Sequence, residues 1–195
     1  MPLFRPALIL LVVFTLITGI LYPLFTTLIA QGVFHWQANG SLLTVADKVR
    51  GSALIGQSFD SKGYFFSRPS ATANFPYNTL ASGGSNLAIS NAQLQQQMLQ
   101  RSQYLKQTDP RSSSAIPIEL LTASASGLDP QLSLDGITWQ IPRILQQRQI
   151  SLNALQHLID ENTDKSIFSF LSTPVVNVLR LNMALDRYCQ DKDKS

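Results

Sequence analysis

ALILLVVFTLITGILYPLFTTLIA, residues 7–30, carries no charged side chain, whereas almost every charged residue of the chain lies after it. As an α-helix with about 1.5 Å of rise per residue, this stretch would extend about 36 Å. The hydrocarbon core of a bilayer is about 30 Å thick, so such a helix can cross it with some tilt. The sequence therefore predicts a tail over residues 1–6, a transmembrane helix over residues 7–30 and one soluble domain over residues 31–195.

A cleaved signal peptide is the alternative explanation of the apolar stretch. The apolar region of a signal peptide is usually shorter and is followed by a pattern of small residues at the cleavage site. Residues 27–31 read TLIAQ and lack that pattern. These features favour a retained anchor, with membrane lipid as one of its partners.

One face of the predicted helix carries small and hydroxyl-bearing residues. On a helical wheel this stripe comprises Thr15, Thr18, Gly19, Tyr22, Pro23 and Thr26. Helices in lipid gain little from burying apolar surface, so their association depends on the close packing of small residues. We predict that Thr15, Thr18, Gly19, Tyr22 and Thr26 pack against partner helices. The alternative is that a lone anchor simply tolerates them.

The distribution of charge gives an orientation and excludes one class of partner. The chain has 15 Lys and Arg against 12 Asp and Glu, with no basic stripe, so nucleic acid is not expected as a partner. Arg5 precedes the apolar stretch, and the first Lys or Arg after it is Lys48. Positive charge favours the cytoplasmic side, which predicts a cytoplasmic N-terminus and an external C-terminal domain.

The soluble part reads as an α+β domain with short strands followed by several helices. Residues 37–41, QANGS, predict a turn, and residues 42–49, 51–59 and 64–66 predict strands. Residues 68–90 are rich in Ser, Asn, Gly and Pro and predict a long loop.

Four helices are expected beyond the loop. The first begins at a capping box formed by Ser90 and Gln93. The second, over residues 134–145, is expected to break near Gln140 because Pro142 lies inside it. Ser151 caps the third, which should turn Leu152, Leu155 and Ile159 inward. The fourth, over residues 178–188, places Asn182 beside its apolar stripe, where the amide needs partners if it is buried.

A glycine pair supplies the first candidate binding segment, Ser82, Gly83, Gly84, Ser85 and Asn86. Adjacent glycines let backbone N–H groups approach an anion closely. The segment is not a P-loop, because no Lys-Ser or Lys-Thr follows the glycines. A nucleotide contact and an ordinary glycine turn both remain open.

A serine hydrolase is a weaker alternative. Ser126 or Ser124 would be the nucleophile, Asp129 would orient the base, and His35 or His157 would be that base. No Gly-x-Ser-x-Gly elbow is present. The other interpretation is structural, with Ser126, Asp129 and Arg68 making polar contacts that hold loops.

The few metal-binding side chains argue against a metal site. With one cysteine and two histidines, the sequence predicts neither a disulfide within the chain nor a built-in metal.

Six motifs in one order resemble the C subunit of the Kdp-type potassium-transporting ATPase. After the apolar stretch come VRGSALIGQ at 49–57, YF and RPSA between 64 and 71, SGGSNL at 82–87, SGLD at 126–129, QIPR at 140–143, and VNV with LN between 176 and 182. The resemblance implies a bacterial inner-membrane complex whose partners are a potassium-translocating subunit and a P-type ATPase subunit. It also implies no catalytic residues and no tightly bound cofactor in this chain.

The resemblance further implies a catalytic chaperone that raises the affinity of the ATPase subunit for ATP. The ATP would be shared with that subunit, and the segment from Ser82 to Ser85 would contact it. An external domain, however, lies on the side where ATP is scarce. The second account is therefore an external subunit that caps the potassium entrance or stabilises the complex without touching nucleotide.

Overall fold

The computed structural model describes residues 3–110, 115–164 and 173–192, and the chain divides into two compact units, residues 1–50 and 51–195. The first unit contains helix α1 (Phe4–Leu16), a π-helical turn (Ile17–Leu21), helix α2 (Tyr22–Val33), the short helix α3 (His35–Ala38) and strand β1 (Leu42–Val45). Strand β2 (Lys48–Ser52) pairs with β1 in a two-stranded sheet. The prediction of one soluble domain over residues 31–195 stays a prediction.

The apolar stretch is a helical run from Phe4 to Val33, three residues longer at each end than predicted. Its length and composition allow it to cross a membrane. A signal sequence near an N-terminus can have the same length and composition. None of its residues is buried.

The hydroxyl groups of the stripe bond within the helix itself. Thr15 donates to the Leu11 carbonyl at 2.7 Å and Thr18 to the Phe14 carbonyl at 2.7 Å. The π-helical turn ends at Leu21, two residues before Pro23, whose ring would crowd the carbonyl of Gly19 in a regular α-helix. A π turn holds more residues than an α turn, so a wheel drawn at 3.6 residues per turn is not exact across it.

Two of the predicted strands in this region are wrong in extent. The strand predicted over residues 42–49 is interrupted at Ala46 and Asp47, which have positive φ angles of 49° and 61° and connect β1 to β2. The strand predicted over residues 51–59 ends at Ser52, because the Gly56 N–H donates to the Leu128 carbonyl at 2.9 Å instead of to a strand. The turn at Asn39 and Gly40 is confirmed, with a φ of 88° at Gly40.

The second unit combines helices with a small antiparallel sheet, which confirms the α+β prediction. Its helices are α4 (Ala92–Thr108), α5 (Ile118–Leu121), α6 (Leu134–Arg148), α7 (Leu152–Glu161) and α8 (Val178–Lys192). Its strands are β3 (Gln131–Ser133), β4 (Thr163–Asp164) and β5 (Val175–Asn177), in the order β3-β5-β4. Val176 in the central strand lies opposite Leu132 on one side and Thr163 on the other.

The core of this unit lies where α6, α7 and α8 meet the sheet. Its fully buried side chains include Leu132, Ile137, Ile144, Leu155, Val176, Leu181 and Leu185. Ser151 caps α7 by accepting a hydrogen bond from the Ala154 N–H, and Leu155 and Ile159 turn inward as predicted. Leu152 does not, because it is 46% exposed.

The strand predicted over residues 64–66 is wrong, because side-chain amides bond to its backbone. Asn182 on α8 accepts from the Phe65 N–H at 2.9 Å and donates to the Phe65 carbonyl at 3.0 Å. Gln140 on α6 accepts from the Phe66 N–H at 2.7 Å and donates to the Phe66 carbonyl at 3.2 Å. These four bonds replace the ladder that a neighbouring strand would supply.

Two helix predictions need correction. Helix α4 is capped by Asn91, whose side chain accepts from the Gln93 N–H at 2.8 Å, so the predicted cap at Ser90 is one residue early. Helix α6 continues through Pro142 without the break expected near Gln140. An internal proline costs about 3 kcal/mol, and the burial of Ile137 and Ile144 on either side of Pro142 offsets that cost.

Candidate functional site

The sequence motifs converge on a loop junction, defined here as residues 56, 68–84 and 124–129. At its centre the Arg68 Nη1 lies 3.0 Å from the Asp129 Oδ2, and both side chains are only about a quarter exposed. The other carboxylate oxygen of Asp129 accepts a hydrogen bond from the Gln131 N–H at 3.0 Å. Partial burial strengthens the pair relative to an ion pair in open water.

Tyr77 connects the start of the long loop to the backbone of Arg68 and to Ser70 by hydrogen bonds. Its hydroxyl donates to the Arg68 carbonyl at 2.6 Å, and its N–H donates to the Ser70 Oγ at 2.8 Å. Burial raises the pKa of Tyr77 to about 12, and the nearby negative charge of Asp129 acts in the same direction. The hydroxyl therefore stays protonated as a donor throughout the neutral range.

Short polar side chains give the rest of the loop one conformation. The Ser70 hydroxyl donates to the Gly127 carbonyl at 2.7 Å, which joins the loop to residues 124–129. The Thr72 hydroxyl donates to the Phe75 carbonyl and accepts from the Asn78 N–H. Residues 68–90 form no helix or strand, as predicted, but hydrogen bonds fix much of their path.

The glycine segment packs along the same junction. The Gly83 N–H and the Ser82 hydroxyl both donate to the Ser126 carbonyl, at 2.9 and 3.0 Å. A Cβ at Gly84 would lie 3.0 Å from the Ala125 carbonyl oxygen. Close backbone packing therefore accounts for Gly84, and the Gly83 N–H is already bonded. Ser82, Ser85 and Asn86 are exposed at the surface.

Ser126 and Asp129 are occupied in ways that suit a structural role. The Ser126 Oγ accepts from the Leu128 N–H at 3.1 Å, and Asp129 binds Arg68. His157 is exposed on α7, where its Nδ1 lies 3.4 Å from Glu161, and the His35 Nδ1 lies 3.3 Å from the Asn39 amide. Ser124 is buried. The contacts of these residues therefore do not assemble the hydrolase triad.

No group of three His, Cys, Asp or Glu side chains suited to a metal ion occurs among residues 3–110, 115–164 and 173–192.

Three residues of the junction, Gly56, Tyr77 and Gly127, were missed from the sequence. A Cβ at Gly56 would lie 2.7 Å from the Asp129 carbonyl oxygen and would collide with the Tyr77 ring. Gly127 has a φ of 67°, and a Cβ there would lie 2.7 Å from the Gly83 carbonyl oxygen. The two glycines belong to the IGQ and SGLD motifs, but the spacing of the motifs along the chain cannot show that they are in contact in the fold.

The chain matches, over residues 4–187, the protein family described as "KdpC: K+-transporting ATPase, c chain". It belongs to the KdpC family. This assignment confirms the resemblance seen in the six motifs. Members of this family are accessory subunits of the ATPase complex and not its catalytic subunit.

Individual relatives agree with the family over most of their length. The chain is 54% identical to a protein of Yersinia enterocolitica over 93% of this chain and 91% of the relative. It is 52% identical to one of Salmonella schwarzengrund, over 93% and 94%, and 50% identical to one of Escherichia coli strain 55989, over 94% and 96%. Each is named "Potassium-transporting ATPase KdpC subunit".

We predict that titration of Tyr77 destabilises the protein at high pH. Its pKa is about 12 in the fold against about 10 in an unfolded chain, so its stabilisation is complete below pH 10 and is lost as the pH rises through 12. Tyr77→Phe should be less stable than the wild type at pH 8. That difference in unfolding free energy should shrink by about 2 kcal/mol on approaching pH 12.

The measurement is denaturant unfolding of both proteins in mild detergent at a series of pH values. The other tyrosines are common to both proteins, so their titration cancels in the comparison. A difference that stays constant with pH would contradict the prediction.

Proposed function

We propose that this chain is an accessory subunit that stabilises a potassium-transporting ATPase in the bacterial inner membrane, with its second unit on the external side. Its proposed partners are a potassium-translocating subunit and a P-type ATPase subunit. In this role the chain caps or braces the potassium entrance and makes no contact with nucleotide. It carries no catalytic step of its own.

One observation carries the membrane part of this proposal: no residue of the helical run Phe4–Val33 is buried among the described residues. Such an apolar surface needs lipid or other helices around it. The Thr15, Thr18 and Thr26 hydroxyls bond to carbonyls of the same helix, so they can enter a helix interface without leaving a donor unpaired.

The site geometry favours bracing over nucleotide binding. The Gly83 N–H donates to Ser126, so it is not free to bind a phosphate in this conformation. The loop junction is instead held rigid, which suits a surface that docks against a partner without an entropic cost of ordering.

The second candidate function is promotion of ATP binding by the ATPase subunit, with ATP shared between the two chains. The exposure of Ser82, Ser85 and Asn86 beside the glycine pair favours it. This role needs the second unit on the cytoplasmic side, where ATP is available. Orientation therefore separates the two functions.

The stripe is tested with a pair of matched glycine substitutions. Gly19 and Gly32 both have open space where a side chain would begin, so leucine fits at either position in the isolated chain. We expect Gly19→Leu to lower recovery of this chain with the potassium-translocating subunit by about tenfold, because overpacking a helix contact costs about 1–3 kcal/mol. Gly32→Leu, outside the stripe, should co-purify like the wild type. Normal recovery of Gly19→Leu would exclude the stripe from the interface.

Orientation is tested with a single exposed thiol. Cys189 is the only cysteine and is half-buried, whereas the neighbouring Gln190 is exposed. The double variant Cys189→Ser, Gln190→Cys should react with a membrane-impermeant thiol reagent in intact cells, because an external domain is accessible there. Labelling only after the membrane is opened would contradict the external brace and favour ATP promotion. Complete labelling after denaturation in both preparations is the control.

A further inference from the structure

A cavity of about 270 Å³ lies between residues 58–77 and the helices α4 and α5. Two arginines from distant parts of the chain line it, Arg68 from the loop junction and Arg101 from the middle of α4. Phe66 and Leu105, both buried, supply part of its apolar wall.

Arg101 is a cation without a carboxylate partner in the part of the chain that the structure describes. Its Nη1 donates to the Leu121 carbonyl at 2.7 Å, and its burial lowers its pKa. A guanidinium has five N–H donors, so one carbonyl leaves most of its capacity unused. Partial burial makes an unpaired cation costly, and a bound anion would remove that cost.

Arg68 also keeps donor capacity beyond its ion pair. Its Nη1 binds Asp129, but its buried Nε has no hydrogen-bond partner among the described residues. Buried donors in native proteins are nearly always paired, so this atom indicates a missing acceptor. Arg68 thus adds a buried donor without a partner to the spare donors of Arg101 at one cavity.

The charge balance of the lining favours an anion. Asp60 is the acidic residue among those lining the cavity, and it is exposed to solvent. Asp129, which lies outside the lining, already pairs with Arg68, so Arg101 is the guanidinium of the lining that no carboxylate of the described residues pairs with. Guanidinium geometry matches the oxygens of carboxylate and phosphate groups, and an apolar wall strengthens such contacts by excluding water.

We propose that this cavity binds an oxyanion, a phosphate or carboxylate group, between Arg68 and Arg101. Sites for drug-sized ligands usually measure about 300–1,000 Å³, so this volume suits a small anion or one acidic group of a larger molecule. Two sources share this chemistry, a free anion and an acidic side chain of a partner subunit. The site stands whichever function of the chain holds.

The test is calorimetric titration of the full chain in mild detergent with inorganic phosphate. Binding to the wild type should be saturable, and Arg101→Gln should weaken it by about tenfold or more, as expected for loss of charged hydrogen bonds. Lys106→Gln removes the same charge from an exposed position on the same helix and should leave binding unchanged. Asp60→Asn should tighten binding, because it removes the opposing charge.

Absence of saturable binding to the wild type would overturn the proposal. Equal weakening by Arg101→Gln and Lys106→Gln would do the same, since it would show only a general charge effect. Should Arg101→Gln fail to fold, the exposed Asp60→Asn variant decides alone, and an unchanged phosphate affinity there would refute the site. In the wild type, the Nε–Hε NMR signal of Arg68 should also shift on binding.

Repeating the titration on the purified complex separates the two sources. A free anion predicts unchanged phosphate affinity in the complex and normal co-purification of Arg101→Gln. An acidic group of a partner predicts that phosphate no longer binds the complex and that Arg101→Gln is recovered poorly. Each result supports the site and assigns its occupant.

Discussion

Two buried amide side chains hold the second unit together, since Gln140 and Asn182 bond all four backbone groups of Phe65 and Phe66. A buried peptide group without a partner costs roughly 1–3 kcal/mol, so the segment can be buried only with these partners in place. Because the amides come from α6 and α8, the segment also connects the two helices. The phenylalanine rings then enter the core as a consequence of the backbone contacts.

Arginine side chains of α6 extend this attachment to the residues just before the segment. Arg143 donates to the Tyr64 carbonyl at 2.7 Å and stacks 3.9 Å from the centre of the Phe66 ring. Burial lowers its pKa to about 10, so it remains charged at neutral pH, with Asp109 in its vicinity. Arg148 donates to the Gly63 carbonyl at 2.8 Å. The hydrogen bonds of Phe65 and Phe66 therefore fix the position at which the long loop begins. From there Arg68 lies opposite Asp129, and the loop packs against residues 124–129.

The sequence predicts the helices well because their packing follows a local period. The apolar positions of α7 and α8, the cap at Ser151 and the apolar run of the first unit are all visible in neighbouring residues. The segment 64–66 has strand-like composition, yet its partners are amides 74 and 117 residues away, which no local pattern reveals. Helix propensity predicts a break at Pro142 because a proline removes a backbone hydrogen bond of the helix. It does not include the burial of Ile137 and Ile144, which stabilises α6 across the proline.

The candidate sites, like the helices, were predictable only where the signal lies in neighbouring residues. The motifs named Arg68, Ser126 and Asp129 as loop-holding residues, but their convergence with Gly56 and Tyr77 depends on contacts between distant segments. Arg101 lies in a Gln-rich helix whose neighbouring residues carry no sign of a binding site, so its place beside Arg68 could not be predicted.

The amide attachment is tested most directly by native-state hydrogen exchange of the full chain in detergent. If Gln140 and Asn182 hold the segment, the Phe65 and Phe66 amides should exchange only through global unfolding, with the same opening free energy as the most protected amides of α8. Exchange of Phe65 and Phe66 through a local opening of much lower free energy, while α6 and α8 stay protected, would contradict this account.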